Sequence, residues 1–148
     1  MTEMAHIRVG RSMRAAPELV WSALADLESH ADWMKDAESI VFTGEQRRGV
    51  GTRMEVKTVV GPLRTLDKME VVGWEEGRSI EVIHTGLVSG QGTLQATPDA
   101  DGTLVTWEET LTFPWYLGGP ITAFFAKPVL RGIWRGNLMR LEESLSSP

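Results

Sequence analysis

The chain has 148 residues, which suits one domain, and is 42% hydrophobic and 24% charged with a net charge of −5. Its Lys and Arg residues are scattered, so no phosphate-tracking surface and no nucleic-acid partner is expected. Cysteine is absent, which excludes disulfides, thiolate metal sites and a cysteine nucleophile.

The first ten residues lack the apolar core of a signal peptide, and no apolar run reaches membrane-spanning length. The sequence therefore reads as a soluble cytoplasmic domain. Ile7, Val9 and Met13 alternate with Arg8 and Ser12, which predicts a half-buried strand over 7–13. Arg11 falls on its apolar face and must snorkel or find a partner. Pro17 stands where a helix can start. Behind it Leu19, Val20, Ala23, Leu24 and Leu27 recur at helical spacing. A second short helix is predicted over 29–35, with Trp33 and Met34 as its apolar residues.

From residue 38 the period changes to two, as Ile40 and Phe42 alternate with Ser39, Val41 and Thr43. Turns are expected at Gly44, Gly49-Val50-Gly51, Gly61-Pro62 and Glu75-Glu76-Gly77. Strands are predicted over 52–60, 63–74, 79–85, 88–97 and 103–113, with a loop over 98–102. Short turns between neighbouring strands imply an antiparallel meander. Gly118-Gly119-Pro120 then leads into a helical segment. Pro128 is expected to divide it, leaving 121–126 as a separate turn and restarting the main helix at Pro128. Leu130, Trp134, Leu138, Leu141 and Leu145 fall on one stripe. A lone helix after a sheet must bury that stripe against it, either filling a core or walling a pocket.

Three stretches stand out: Ala16-Pro17-Glu18-Leu19-Val20-Trp21 running on to Trp33, then Gly49-Val50-Gly51-Thr52, then Gly102-Thr103-Leu104-Val105-Thr106-Trp107-Glu108-Glu109 before the last helix. In this order they resemble the START/Bet v1-like (SRPBCC) superfamily and, within it, the polyketide cyclase/dehydrase and lipid-transport group. The resemblance covers the whole chain, 1–148, as a single domain. It implies an α+β helix-grip fold. In that fold a curved antiparallel sheet of about seven strands, with two short N-terminal helices, wraps around a long C-terminal helix. It also implies a cavity for a small hydrophobic ligand such as a lipid, polyketide or aromatic compound. The alternative it carries is an aromatase/cyclase-type enzyme using acid and base residues in that cavity. Fold alone does not choose between carriers, sensors and enzymes.

Strict alternation places Asp67 with Leu63, Met69 and Val71. It places His84 with Ile80 and Val82, and Glu109 with Val105, Trp107, Leu111 and Phe113. One reading is that Asp67, His84 and Glu109 orient the polar end of a greasy ligand or move its protons. The other is that they lie at an open rim, or satisfy one another together with Arg11. Gly90 and Gly92, in phase with Leu94 and Ala96, either leave cavity volume or mark a bulge or crossing. Trp115, Tyr116, Phe124 and Phe125 flank Gly118-Gly119-Pro120 as a mobile aromatic gate, a contact patch or ordinary packing. The six tryptophans serve core packing or a pocket wall.

The candidate ligand pocket takes Met34, Met54, Val56, Asp67, Met69 and His84 from the first part of the chain. From the second part it takes Leu94, Trp107, Glu109, Phe113, Phe124, Trp134 and Leu138. No catalytic residue is assigned. No metal or cofactor is expected, since His6, His30 and His84 lack metal-ligand spacing. Membrane contact is not expected on an acidic chain, and oligomeric state is left open.

Overall fold

The period-two stretch becomes a meander in which each strand pairs with the next. The computed structural model describes residues 3–114, 116 and 118–146. The strands are β1 (Glu3–Met13), β2 (Ala37–Phe42), β3 (Arg53–Val60), β4 (Leu63–Glu75), β5 (Ser79–Thr85), β6 (Ser89–Asp99) and β7 (Gly102–Phe113). They form one antiparallel sheet in the order β1-β7-β6-β5-β4-β3-β2. Between β1 and β2 lie α1 (Pro17–Ala25), a 3-10 turn (Leu27–Ser29) and α2 (His30–Trp33), and α3 (Gly119–Ser146) follows β7. The expected helix over 29–35 is thus shorter, and β1 begins four residues earlier than its alternation suggested. Gly61 and Gly77 turn the chain between β3, β4 and β5 at φ +58° and +80°, a region that side chains resist.

The inner face of the sheet and the apolar stripe of α3 share one core. Ile7, Met13, Val20, Leu24, Val71, Val105, Leu138 and Leu141 are closed to solvent there. Arg11 takes the partner its inward phase demanded, since its Nε donates to Glu142 Oε1 on α3 at 2.8 Å. α3 is also tied to the segment before β2. Asn137, fully buried, donates from Nδ2 to Asp36 Oδ1 at 2.8 Å, and the Trp134 indole donates to Asp36 Oδ2 at 3.2 Å. The Lys35 amide returns a bond to Asn137 Oδ1 at 3.1 Å.

α3 corrects one expectation. It runs unbroken from Gly119 to Ser146 with Pro128 inside it. Pro128 is exposed. The bond its missing N–H forfeits therefore lies on the solvent side, where water can serve the orphaned carbonyl.

At the opposite end, α1 is pinned to the β4–β5 turn. The carboxylate of Glu76 accepts from the Trp21 indole at 2.6 Å and the Trp74 indole at 3.3 Å, and pairs with Arg48. The Arg48 bond, then that of Trp21, pulls the Glu76 pKa down to about 2. Trp21 and Trp74 meet edge to face at 5.5 Å.

Candidate functional site

Between the inner face of the sheet and the first half of α3 lies a cavity of about 550 Å³. That size falls in the range of small-molecule sites. Its walls are mostly apolar. β3 contributes Met54 and Val56, β4 Met69, β6 Leu94, β7 Trp107 and Phe113, and α3 Trp134; Met34 comes from the residue after α2. Asp67, His84 and Glu109 face the same space.

Two residues of the expected pocket lie elsewhere. Leu138 is fully buried and does not line the cavity. Trp134, one turn earlier, stacks on Trp107 at 4.9 Å and closes that end, so Leu138 sits in solid core beyond it. Phe124 is 72% exposed. Helical rotation turns it outward and presents Ile121, Phe125 and Val129 to the cavity instead. Leu63, Ile121 and Phe125 both line the cavity and remain exposed, which marks its mouth. Tyr116 and Phe124 are exposed. Trp115 lies outside the described residues. Of the other tryptophans, Trp21 and Trp33 are core, while Trp107 and Trp134 are core and wall together.

The polar groups come together through a gap in the middle strand. His84 is on β5 and Glu109 on β7, with β6 between them. Their pairing is nevertheless direct, His84 Nε2 lying 3.0 Å from Glu109 Oε1, with side chains only 7% and 12% exposed. A carboxylate only accepts, so Nε2 carries the proton of this bond. Glu109 stands opposite Gly92 in the β6–β7 register. A Cβ on Gly92 would stand 2.7 Å from Glu109 Oε1 and 2.8 Å from its Cγ. Gly92 is therefore not spare cavity volume, because Glu109 occupies the space on its way to His84. Gly90 has a different cause. A Cβ there would collide with the Thr110 carbonyl, where β6 and β7 approach closely.

Burial pulls the His84 pKa down. The hydrogen bond and charge of Glu109, the charge of Asp67 and a backbone bond with Val88 outweigh it, so the value lies above the ordinary one. Asp67 accepts from the Thr58 hydroxyl at 2.7 Å, with Thr65 Oγ1 at 3.4 and 3.5 Å. Arg11 takes no part in this group, being held by Glu142.

Sequence reasoning did not single out His30, Asp36, Thr58 or Thr65, all of which line the cavity. Thr58 and Thr65 share the inward phase of Val56 and Asp67, so alternation contained that signal. His30 opens the short α2 and Asp36 lies in the irregular chain after it, and neither a single helical turn nor a loop offers a period to read. His30 Nε2 donates to the Leu24 carbonyl at 2.8 Å, and burial lowers its pKa despite that bond and the nearby Asp26 charge. Chemically, the site offers the His84–Glu109 pair and the Asp67 carboxylate inside an apolar chamber, while His30 and Asp36, which also line it, are bonded to the Leu24 carbonyl and to Trp134 and Asn137. Among the described residues no group of three metal-binding side chains is assembled.

An open antiparallel sheet of seven strands, laid against a long C-terminal helix over a cavity, defines the Bet v1-like helix-grip class. The chain belongs to the polyketide cyclase/dehydrase and lipid transport family, whose model matches residues 4–146. A protein of Thermus thermophilus has a similar structure, with TM-score 0.80, 23% identity, and coverage of 96% of this chain and 99% of that one. Ara h 8.0201 matches with TM-score 0.74, 12% identity and coverage of 98% and 99%. The ZhuI aromatase/cyclase from Streptomyces matches with TM-score 0.71, 16% identity and coverage of 97% and 92%. At these identities the likeness is one of fold. No curated protein matches the chain by sequence. Among the described residues no helix is long and apolar enough to cross a membrane.

Proposed function

We propose that the protein binds a small hydrophobic molecule in the cavity between the sheet and α3, burying its apolar body and holding one polar end. The observation that carries this is the cavity itself, about 550 Å³ of mostly apolar lining with one polar cluster. Burying apolar ligand surface there supplies affinity at roughly 25 cal/mol per Å² before the costs of association. The cluster then fixes orientation. The family description, polyketide cyclase/dehydrase and lipid transport, agrees with such cargo.

A neutral environment-sensitive dye such as Nile red tests the reading. It should brighten on binding at one site per chain. Leu94→Trp, which narrows the cavity from β6, should weaken dye binding with the melting temperature kept. An affinity unchanged in that variant, or no signal in the wild type, rejects the proposal.

A second reading is favoured by the His84–Glu109 pair at 3.0 Å. An imidazole with a raised pKa, held by a carboxylate within an apolar site, is equipped to pass a proton to or from a ketone or enol. That is the chemistry of a polyketide cyclisation or dehydration. Its test is turnover of a poly-β-ketone thioester. His84→Asn and Glu109→Gln should abolish turnover while dye binding is retained, and a surviving rate excludes these residues as acid and base.

A further inference from the structure

The charges inside the cavity do not balance. Carboxylates of Asp36, Asp67 and Glu109 line it, and among the described residues no Lys or Arg does. Asp36 is engaged by Trp134 and Asn137, and Glu109 by His84. Asp67 stands apart. It is only 8% exposed, its short bond comes from the neutral Thr58 hydroxyl, and among the described residues it has no ion-pair partner. Hydroxyls alone leave the desolvation of a buried carboxylate incompletely offset. The fold nevertheless makes room for this group. A Cβ on Gly86 would collide with Asp67 Oδ1, and glycine leaves that space clear.

The strand register gathers the negative charge around one point. His84 lies opposite Met69 on β4 and Gly90 on β6. Two residues along in one direction, the row holds Val82, Gly92 and Glu109. Two residues along in the other, Asp67 occupies the inner face of β4. His84 is thus flanked by a carboxylate on each side. Even as an imidazolium it offsets one of the two, so this end of the cavity keeps a net negative charge within apolar walls.

We propose, resting on the reading of this cavity as a ligand site, that the ligand is an apolar molecule bearing a protonated amine, with its ammonium seated against Asp67. An ammonium supplies the missing counter-charge and three N–H donors. The low dielectric of the chamber strengthens that pairing. The same field repels a carboxylate or phosphate end, and a neutral hydroxyl donates a bond without the charge.

Isothermal titration calorimetry at neutral pH tests this with three probes that share one apolar body: naphthylmethylamine, naphthylmethanol and naphthoic acid. The amine should bind about tenfold or more tighter than the alcohol, and the acid more weakly than the alcohol, tenfold being about 1.4 kcal/mol. Asp67→Asn should bring the amine to the level of the alcohol while naphthylmethanol still binds, since the amide carbonyl that replaces the carboxylate accepts its hydroxyl, and that binding also shows that the variant is folded. An acid that binds as tightly as the amine, or an amine preference that survives Asp67→Asn, overturns the charge inference and leaves the ligand site standing. If not even the alcohol binds, the ligand-site reading fails and this inference with it.

Discussion

Gly92 shows how one missing side chain shapes the site. Its backbone is ordinary, with no positive φ, so conformational freedom does not explain a glycine there. Space does. β5 and β7 are separated by a whole strand, and adjacent strands lie about 4.8 Å apart. Glu109 reaches His84 only by lying across the middle strand where a Cβ would stand. Gly92→Ala is therefore expected to push Glu109 off His84 through its Cγ, close to the backbone, where the side chain has little freedom to yield. Glu109 raises the His84 pKa, so the variant should titrate His84 at lower pH than the wild type. Ring-proton NMR measures this directly, and an unchanged His84 titration would show that the pair does not depend on the glycine. A near-neutral effect on stability is compatible with the same outcome, since a strand alanine is conformationally cheaper than glycine.

At the scale of elements, α3 answers to two environments along its length. From Ile121 to Trp134 it walls the cavity, and from Leu138 onward it is core. The Trp107–Trp134 stack is the boundary. Leu138→Ala should then behave as a core truncation and cost about 2–5 kcal/mol of stability. Phe124→Ser, on the solvent side of the same helix, should change stability by no more than about 0.5 kcal/mol. Urea unfolding of the two variants decides the matter, and equal costs would contradict this division of the helix. The sequence put both residues in one pocket because helical periodicity reports a stripe and not depth. Leu138 is on the right stripe but one turn past the stack, and Phe124 is turned out of it. The strands were more legible. Alternation put Asp67, His84 and Glu109 on the inner face, and the β4 register shift, between Val71 and Gly73, falls beyond Asp67 and Met69 and leaves their phase intact. What alternation could not carry was partnership. That Glu109 meets His84, and that Arg11 meets Glu142, are consequences of strand order and helix docking across 25 and 131 residues of chain. Pro128 misled for a related reason, because a helix tolerates a proline more readily where the lost bond faces water, and the sequence does not say which side that is.

For the whole molecule, the two buried histidines set opposite pH demands on the folded state. His30 is held neutral, its pKa below 6.5 through burial. Its contribution to stability is fully present above that unfolded value and is lost as pH falls towards the folded one, because the unfolded chain then binds the proton more readily. His84 behaves in the reverse sense. Its folded pKa lies above 6.5, so its contribution is fully present below 6.5 and is lost as pH rises through the folded value. Each group alone can tilt stability by at most about 1.4 kcal/mol per pH unit. Together they predict a stability maximum near the ordinary histidine value, with a decline on both sides. The flanks can be separated by substitution. Glu109→Gln removes the partner that raises His84, so the alkaline decline should flatten while the acid flank remains. His30→Gln removes the group that resists protonation, so the decline just below pH 6.5 should flatten while the alkaline flank remains. Urea midpoints measured from pH 5 to 9 for the three proteins provide the comparison. If Glu109→Gln leaves the alkaline flank as steep as in the wild type, that decline does not come from His84, and the pair at the heart of the cavity is not linked to folding as its geometry requires.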